Sequence, residues 1–417
     1  MVVSPASLLA SLSRPECWEA FYEYKTSLAC PKAFASRLRD FIDRRAYEPV
    51  CAAIARGNPF PLPRRSVVSK LSTGKKRVVY TYPEPENTVL KLLTWLLLRR
   101  YDGVFDDGLW SFRPGRSAKD AVRRLLADPG VRGAWAYKAD VSDYFNSVPV
   151  DRLLPRLEAV TAEDPVLFAF LRRLLEEPRV LADGRETTEA KGIMAGTPLS
   201  AFYANLYLAD LDRAFAGRGV PYARYSDDVI LFVPDRAAAE EHAAFLREFL
   251  AGKGLAPNPN KEALFSPEEG WVFLGFRVQG RRVDIAPATV EKLTGKMRRK
   301  ARALLRWRQR NGAEGERAAA AFIRVFNRKL LENAGDSELT WSRWFFPLIS
   351  TADSLREIDR CAQDCIRYIV SGKRTKGRFN VRYADLKALG YRSLVHAYYD
   401  LRGTEQPREA APMDTEQ

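Results

Sequence analysis

Tyr222-Ala-Arg-Tyr-Ser-Asp-Asp-Val-Ile-Leu-Phe-Val233 places two adjacent carboxylates, Asp227 and Asp228, at the tip of a hydrophobic hairpin. Tyr222 to Tyr225 and Val229 to Val233 have strand composition, and Ser226-Asp227-Asp228 is the polar turn between them. Adjacent carboxylates repel one another unless a cation neutralises them, and clustered oxygen donors suit magnesium. A third acid, Asp140, ends the apolar run Ala134-Trp-Ala-Tyr-Lys-Ala139, which reads as a buried strand. If the two strands are neighbours in one sheet, three carboxylates converge. Two metal ions about 3.5–4 Å apart could then activate a hydroxyl and stabilise a leaving pyrophosphate. Taken alone, Ser-Asp-Asp is ordinary composition for a turn.

Outward from this hairpin, strands and helices interleave. Residues 1–60 carry Trp18, Phe21, Tyr22 and Leu28 at helical spacing and end in the break Asn58-Pro-Phe-Pro-Leu-Pro63. A hairpin follows, Arg65–Leu71 and Lys76–Tyr82, about the turn Ser72-Thr-Gly-Lys75. Helices are expected over Thr88–Tyr101 and Ser117–Leu126, flanking the turn Phe112-Arg-Pro-Gly-Arg116. Leu199–Phe215 and Ala237–Gly252 read as helices, and Gly270–Val278 as one strand. Beyond Pro287 the chain is helical and basic, and from Gly403 it is a polar tail expected to be disordered. This pattern defines an α+β core with helical appendages.

Composition narrows the partners. At 417 residues and 46% hydrophobic, the chain can bury a real core and divide into subdomains. Lys plus Arg number 67 against 52 acids, a net charge of +15. Such a balance points to a polyanion, with a merely solubilising surface as the equal alternative. The five cysteines contain no CxxC pair and suit a reducing compartment. Only two histidines exist, which excludes a zinc site or nuclease that needs several. The longest apolar run, Leu92–Leu98, is too short to span a bilayer, and the N-terminus lacks a basic signal-peptide region. A cytoplasmic protein with no membrane partner is expected.

Six motifs in a fixed order then decide between turn and site. They are Ser111-Phe-Arg-Pro-Gly-Arg-Ser117 with Asp120; Asp140; Gly192-Ile-Met-Ala-Gly-Thr-Pro-Leu-Ser200 with Ala204-Asn-Leu-Tyr-Leu208; Tyr225-Ser-Asp-Asp228; Gly254-Leu255 with Asn260-Lys261; and Phe273-Leu-Gly-Phe276. Over roughly residues 65–280 this set resembles the bacterial reverse transcriptases of the group II intron-like kind. The resemblance implies a right-hand polymerase: fingers and palm with an antiparallel sheet, and a mostly helical thumb. It also implies residues 1–60 as a helical extension, 61–280 as fingers and palm, and 281–345 as a basic thumb. Residues 346–402 would form a helical RNA-binding or thumb extension, and 403–417 the tail.

By the same resemblance, Asp140, Asp227 and Asp228 are catalytic, and with the Val141 carbonyl they hold two Mg2+ ions, or Mn2+. Lys75, Arg77, Asp143, Tyr144, Phe145, Gly196 and Lys261 bind the incoming nucleotide. Phe145 sits where a bulky ring would clash with a 2′-hydroxyl, which favours deoxynucleotides; its alternative is core packing beside Tyr144. Phe273, Leu274 and Gly275 grip the primer. Arg113 and Arg116, with Lys296, Arg299, Lys300 and Arg306 of a basic helix interleaved with Trp307, contact nucleic acid. Three positions depart from the family pattern: Ala195 stands where glutamine is common, and Met194 and Ala201 where proline is common.

The implied partners are an RNA template, a DNA or RNA primer and deoxynucleoside triphosphates; a homo-oligomer stays open. With too few histidines for a His-rich nuclease, the plan resembles stand-alone reverse transcriptases of antiphage defence, which copy a noncoding RNA. An intron maturase lacking an endonuclease, a retron-type enzyme and an RNA-binding scaffold with a relict polymerase fold are the alternatives.

Overall fold

A computed structural model describes residues 7–27, 30–69, 76–331 and 340–403. The turn Ser72–Lys75, with Lys75 itself, and residues 404–417 of the expected tail lie outside the described residues. The chain divides into two compact units, Met1–Leu274 and Gly275–Gln417.

Two four-stranded sheets organise the first unit. One joins β1 (Arg64–Ser69) and β2 (Lys76–Thr81) to β4 (Arg179–Ala182) and β5 (Arg185–Thr188) in the order β2-β1-β4-β5. Both hairpins are antiparallel, but β1 and β4 run parallel. The other joins β3 (Trp135–Asp140), β6 (Tyr222–Tyr225), β7 (Asp228–Val233) and β8 (Ala263–Phe265) in the order β6-β7-β3-β8, antiparallel throughout. The helix Glu84–Arg100 is apolar around most of its circumference, burying Val89, Leu90, Leu92, Leu93 and Leu97. That pattern belongs to a helix enclosed by others. The helices of residues 1–60 pack into the same core: Trp18 stacks on Tyr47 at 4.7 Å, and Phe21 meets Trp95 at 5.8 Å.

The strand expected over Gly270–Val278 is broken. It forms β9 (Trp271–Phe273) and β10 (Phe276–Gln279), separated by Leu274 and Gly275 at φ +49° and +88°. Two consecutive left-handed residues cannot continue a pleated strand, so alternation alone overestimated its length.

In the second unit β10 forms an antiparallel hairpin with β11 (Arg282–Ile285). The long helix Pro287–Asn311 buries Val290, Leu293, Met297, Ala301 and Leu305, three and four residues apart. Proline at its first turn and Gly312 at φ +58° after its last bound it. It packs on the helix Asp353–Ser371, whose terminal carbonyls at Ile369 and Val370 accept from Arg308 at 2.9 and 3.0 Å. All five cysteines are free thiols. Among the described residues, no helix is long and apolar enough to cross a membrane.

Candidate active site

The register of β3 against β7 sets Asp140 directly opposite Asp228. One residue on, the Val141 N–H donates to the Asp227 carbonyl at 3.0 Å. The turn between β6 and β7 is tight, with Ser226 at φ +62°. It is held from beneath. The Ser226 N–H donates to Ser111 Oγ at 2.9 Å, and Ser111 Oγ donates to Asn205 Oδ1 at 3.1 Å. Arg224 lies fully buried under the turn, forked onto Asp212 at 2.7 and 2.6 Å and donating to the Ser226 carbonyl at 3.2 Å. None of these supports stood out in the sequence, although Ser111, Asn205 and Arg224 lie within the quoted segments. The legible signal was Arg224 itself, since an arginine in an apolar strand requires a carboxylate partner.

Two lysines sit on the carboxylates. Lys261 Nζ is 2.6 Å from Asp140 Oδ2, and Lys138 Nζ is 3.4 Å from Asp228 Oδ1. Lys138 was missed, yet strand alternation puts residues 138 and 140 on one face. Burial, and then the charge of Asp140, push the Asp227 carboxyl above its usual range. Burial does the same at Asp228, where Lys138 opposes it and Asp140 adds to it. Among the described residues, no group of three or more His, Cys, Asp and Glu closes into a metal cage. The three carboxylates share one end of the sheet, where Lys261 and Lys138 answer Asp140 and Asp228. The donor set is nonetheless hard oxygen with negative charge to spare, which fits a divalent cation of the magnesium type.

One wall is built from glycine contacts. A Cβ on Gly192 (φ +52°) would lie 2.5 Å from the Phe145 carbonyl oxygen, where the Ile193 N–H donates at 2.9 Å. Phe145 is half-buried, and the Arg77 guanidinium lies 5.8 Å from its ring centre. Its neighbour Tyr144 turns the other way, into the core, and donates to the Ala204 carbonyl at 2.5 Å. Asp143 is exposed at φ +40°. Gly196 sits at φ +100°, and a Cβ there would press on the Tyr80 carbonyl at 3.1 Å. The Ala195 carbonyl accepts from the Tyr80 N–H at 2.8 Å, so this loop is tied to β2 through its backbone.

Lys191, just before Gly192, is buried and donates to the Glu177 carbonyl. Burial pulls its pKa down to about 8, from 10.5. A folded pKa below the unfolded one means that charging this lysine costs stability below about pH 8, and that the cost is relieved as pH rises towards 10.5. The stability advantage of wild type over Lys191→Met therefore grows across that window. Denaturant midpoints of both proteins at its two ends check this.

Other expected residues part company. Arg113 is buried, held by Asp102 at 2.7 and 3.0 Å and by the Asp106 carbonyl at 2.6 Å, so it braces the loop from inside. Arg116 reaches Asp107 at 2.5 Å and lies 5.2 Å from the Trp110 ring. Phe112 between them is 41% exposed at φ +59°. Phe273 is fully buried in the first unit. In the second, Gly275 approaches the Phe345 ring, and Lys296, Arg299, Lys300 and Arg306 are all exposed on one helix.

The model of the family Reverse transcriptase (RNA-dependent DNA polymerase) matches residues 68–278, half of the chain. The chain belongs to the reverse transcriptase family, and its α+β architecture is that of the family's polymerase fold. Among its relatives, a 91 kDa protein in the cob intron of Schizosaccharomyces pombe is 29% identical over 150 residues, 36% of this chain. Protein YkfC of Escherichia coli is 25% identical over 265 residues, 54% of this chain, and the group II intron-encoded protein LtrA of Lactococcus lactis is 23% identical over 210 residues, 48% of it. The chain spans 18% of the length of the first, 69% of the second and 34% of the third. An apo telomerase from Candida tropicalis superposes with a TM-score of 0.47 at 13% identity, over 87% of this chain and 66% of that one.

Proposed function

We propose that this chain is an active RNA-templated DNA polymerase of the cytoplasm, serving antiphage defence with a noncoding RNA as template. The observation that carries the polymerase reading is the register that sets Asp140 opposite Asp228 and ties Val141 to Asp227. Asp140, Asp227 and the Val141 carbonyl, with Asp228 beside them, are the donors for two Mg2+ or Mn2+ ions. Divalent ions bound there supply charge neutralisation to the attacking hydroxyl and the leaving pyrophosphate. Lys261, whose Nζ lies 2.6 Å from Asp140 Oδ2, gives a proton or countercharge to that pyrophosphate.

Arg77 takes the triphosphate, Gly196 lets the loop approach β2, and Asp143 and Tyr144 set the position of Phe145 at the sugar. Phe145→Ala relaxes the exclusion of ribonucleotides by about tenfold to a hundredfold, the range for one removed side chain in a pocket. Paired single-nucleotide incorporation assays with deoxy- and ribonucleotides measure it; an unchanged ratio would return Phe145 to the core. Phe273, Leu274 and Gly275 hold the primer end, and Arg116, Lys296, Arg299, Lys300 and Arg306 hold phosphates of template and primer.

Sequencing RNA and DNA that copurify with wild type and with Asp227→Asn/Asp228→Asn tests the whole reading. DNA matching a copurified RNA, present only with wild type, supports it. The same RNA from both and DNA from neither, even during phage infection, leaves an RNA-binding scaffold. The similarity to an intron-encoded protein favours a second reading, an intron maturase. Intron ends flanking the gene, and faster splicing of that RNA with the protein added, would move the assignment there.

A further inference from the structure

The second unit holds a pocket that the polymerase reading does not use. It encloses about 360 Å³ between the helices Pro287–Asn311 and Asp353–Ser371 and the basic segment after them. Four arginines line it: Arg298 and Arg302 from the first helix, Arg374 and Arg378 from the basic segment. One carboxylate, Asp364, answers them, 3.6 Å from Arg378. Arg298 and Arg302 are one helical turn apart, where like charges repel. Arg374 is steered by the Tyr368 hydroxyl at 3.4 Å, and Arg378 by the Arg374 carbonyl at 2.8 Å. The thiols of Cys361 and Cys365 form part of the inner wall.

Four guanidiniums around one concavity suit an anion: the planar forks of Arg298 and Arg302 match phosphate oxygens, and Arg378, with Nε near Asp364 and Nη1 on the Arg374 and Thr375 carbonyls, adds its charge and its remaining donors. The concavity selects among phosphates. A phosphodiester within a strand carries a single charge, and its chain must leave on both sides. A terminal phosphate carries two or more charges and needs only one exit, which suits a pocket with an excess of three positive charges. We infer that this pocket binds a terminal phosphate or polyphosphate, carried by a free nucleotide or by the 5′ end of an RNA. The pocket's lining contains none of the residues assigned to polymerisation, although Arg298 and Arg302 share the helix Pro287–Asn311 with Lys296, Arg299, Lys300 and Arg306; its test therefore reads binding and not DNA synthesis.

The thiols report on occupancy. Cys361 is the more acidic of the pair, held below the usual thiol range by its hydrogen bond to Cys365 and, against burial, by Arg298. Alkylation of Cys361 by iodoacetamide in the full-length chain, quantified on its peptide by mass spectrometry, needs no DNA synthesis. It is followed with ATP, with a 5′-triphosphorylated RNA, and with the same RNA ending in a 5′-hydroxyl. The expected result is slower alkylation with ATP, with the triphosphorylated RNA, or with both, and an unchanged alkylation rate with the 5′-hydroxyl RNA. Protection by ATP alone identifies the nucleotide as source, and protection by the triphosphorylated RNA alone identifies the RNA end. Arg302→Gln and Arg374→Gln, at exposed positions, each weaken the protection constant by about tenfold, the value of one charge-assisted contact. No protection from either phosphate, equal protection by the 5′-hydroxyl RNA, or protection that survives both substitutions overturns the inference.

Discussion

Asp227→Asn lowers DNA synthesis by about a thousandfold or more, some 4 kcal/mol of barrier, while the protein melts no earlier than wild type. The two halves of this result have separate origins. Asparagine keeps the shape of the turn and both backbone bonds, the Ser226 N–H to Ser111 and the Val141 N–H to the residue 227 carbonyl. It loses one of the anionic oxygens on which cation binding depends. Folding does not suffer, because burial and Asp140 already disfavour the Asp227 charge. An aspartate whose folded pKa is raised costs stability above that pKa, and the cost disappears as pH falls below its unfolded value. A neutral isostere removes it at every pH. Primer extension on an RNA template, alongside thermal melts in metal-free buffer, measures both halves. Retained synthesis would sink the assignment of Asp227, and a large drop in melting temperature would show that the residue holds the turn together.

Arg224→Met does the reverse: it destabilises the unit Met1–Leu274 by about 3–5 kcal/mol, the range for breaking a buried ion pair. Both side chains of the Arg224–Asp212 pair are fully buried. Removing the arginine strands the Asp212 carboxylate, which among the described residues keeps only the Tyr222 hydroxyl, at 2.9 Å. It also frees the Ser226 and Asn205 carbonyls, which accept from Arg224 at 3.2 and 3.3 Å. The double variant Arg224→Met/Asp212→Leu recovers most of the loss, since no charge then stays buried alone. Urea midpoints at constant slope for the two singles and the double decide it. If Asp212→Leu alone proves harmless, the pair is not what holds the turn.

The depth of this support explains why sequence reading placed the acids but not what surrounds them. Strand periodicity and a polar turn between two apolar runs are local properties, so the hairpin Tyr222–Val233 and the strand ending at Asp140 could be read directly. Helix boundaries at Gly312 and Gly372 are local too, fixed by a left-handed residue that glycine adopts without strain. The break at Leu274–Gly275 escaped the same reading because Leu274 gives no warning of a positive φ. Arg113 shows the converse: its motif suggested contact with nucleic acid, whereas Asp102 and two backbone carbonyls consume its donors.

The sequence by itself determined the family, the hairpin Tyr222–Val233, the strand ending at Asp140 and the three acids, because these rest on residue type and spacing along the chain; the helices Val150–Val160 and Pro165–Glu176 and the hairpin of β4 with β5 were not read from it. The tertiary structure alone decided which charges meet. Lys261 reaches Asp140, Lys138 shares its face, and Arg298 and Arg302 face Arg374 and Arg378 across a pocket. Those pairings join segments far apart in the chain, and a charge's partner is set by sheet register and helix packing, which no local pattern encodes.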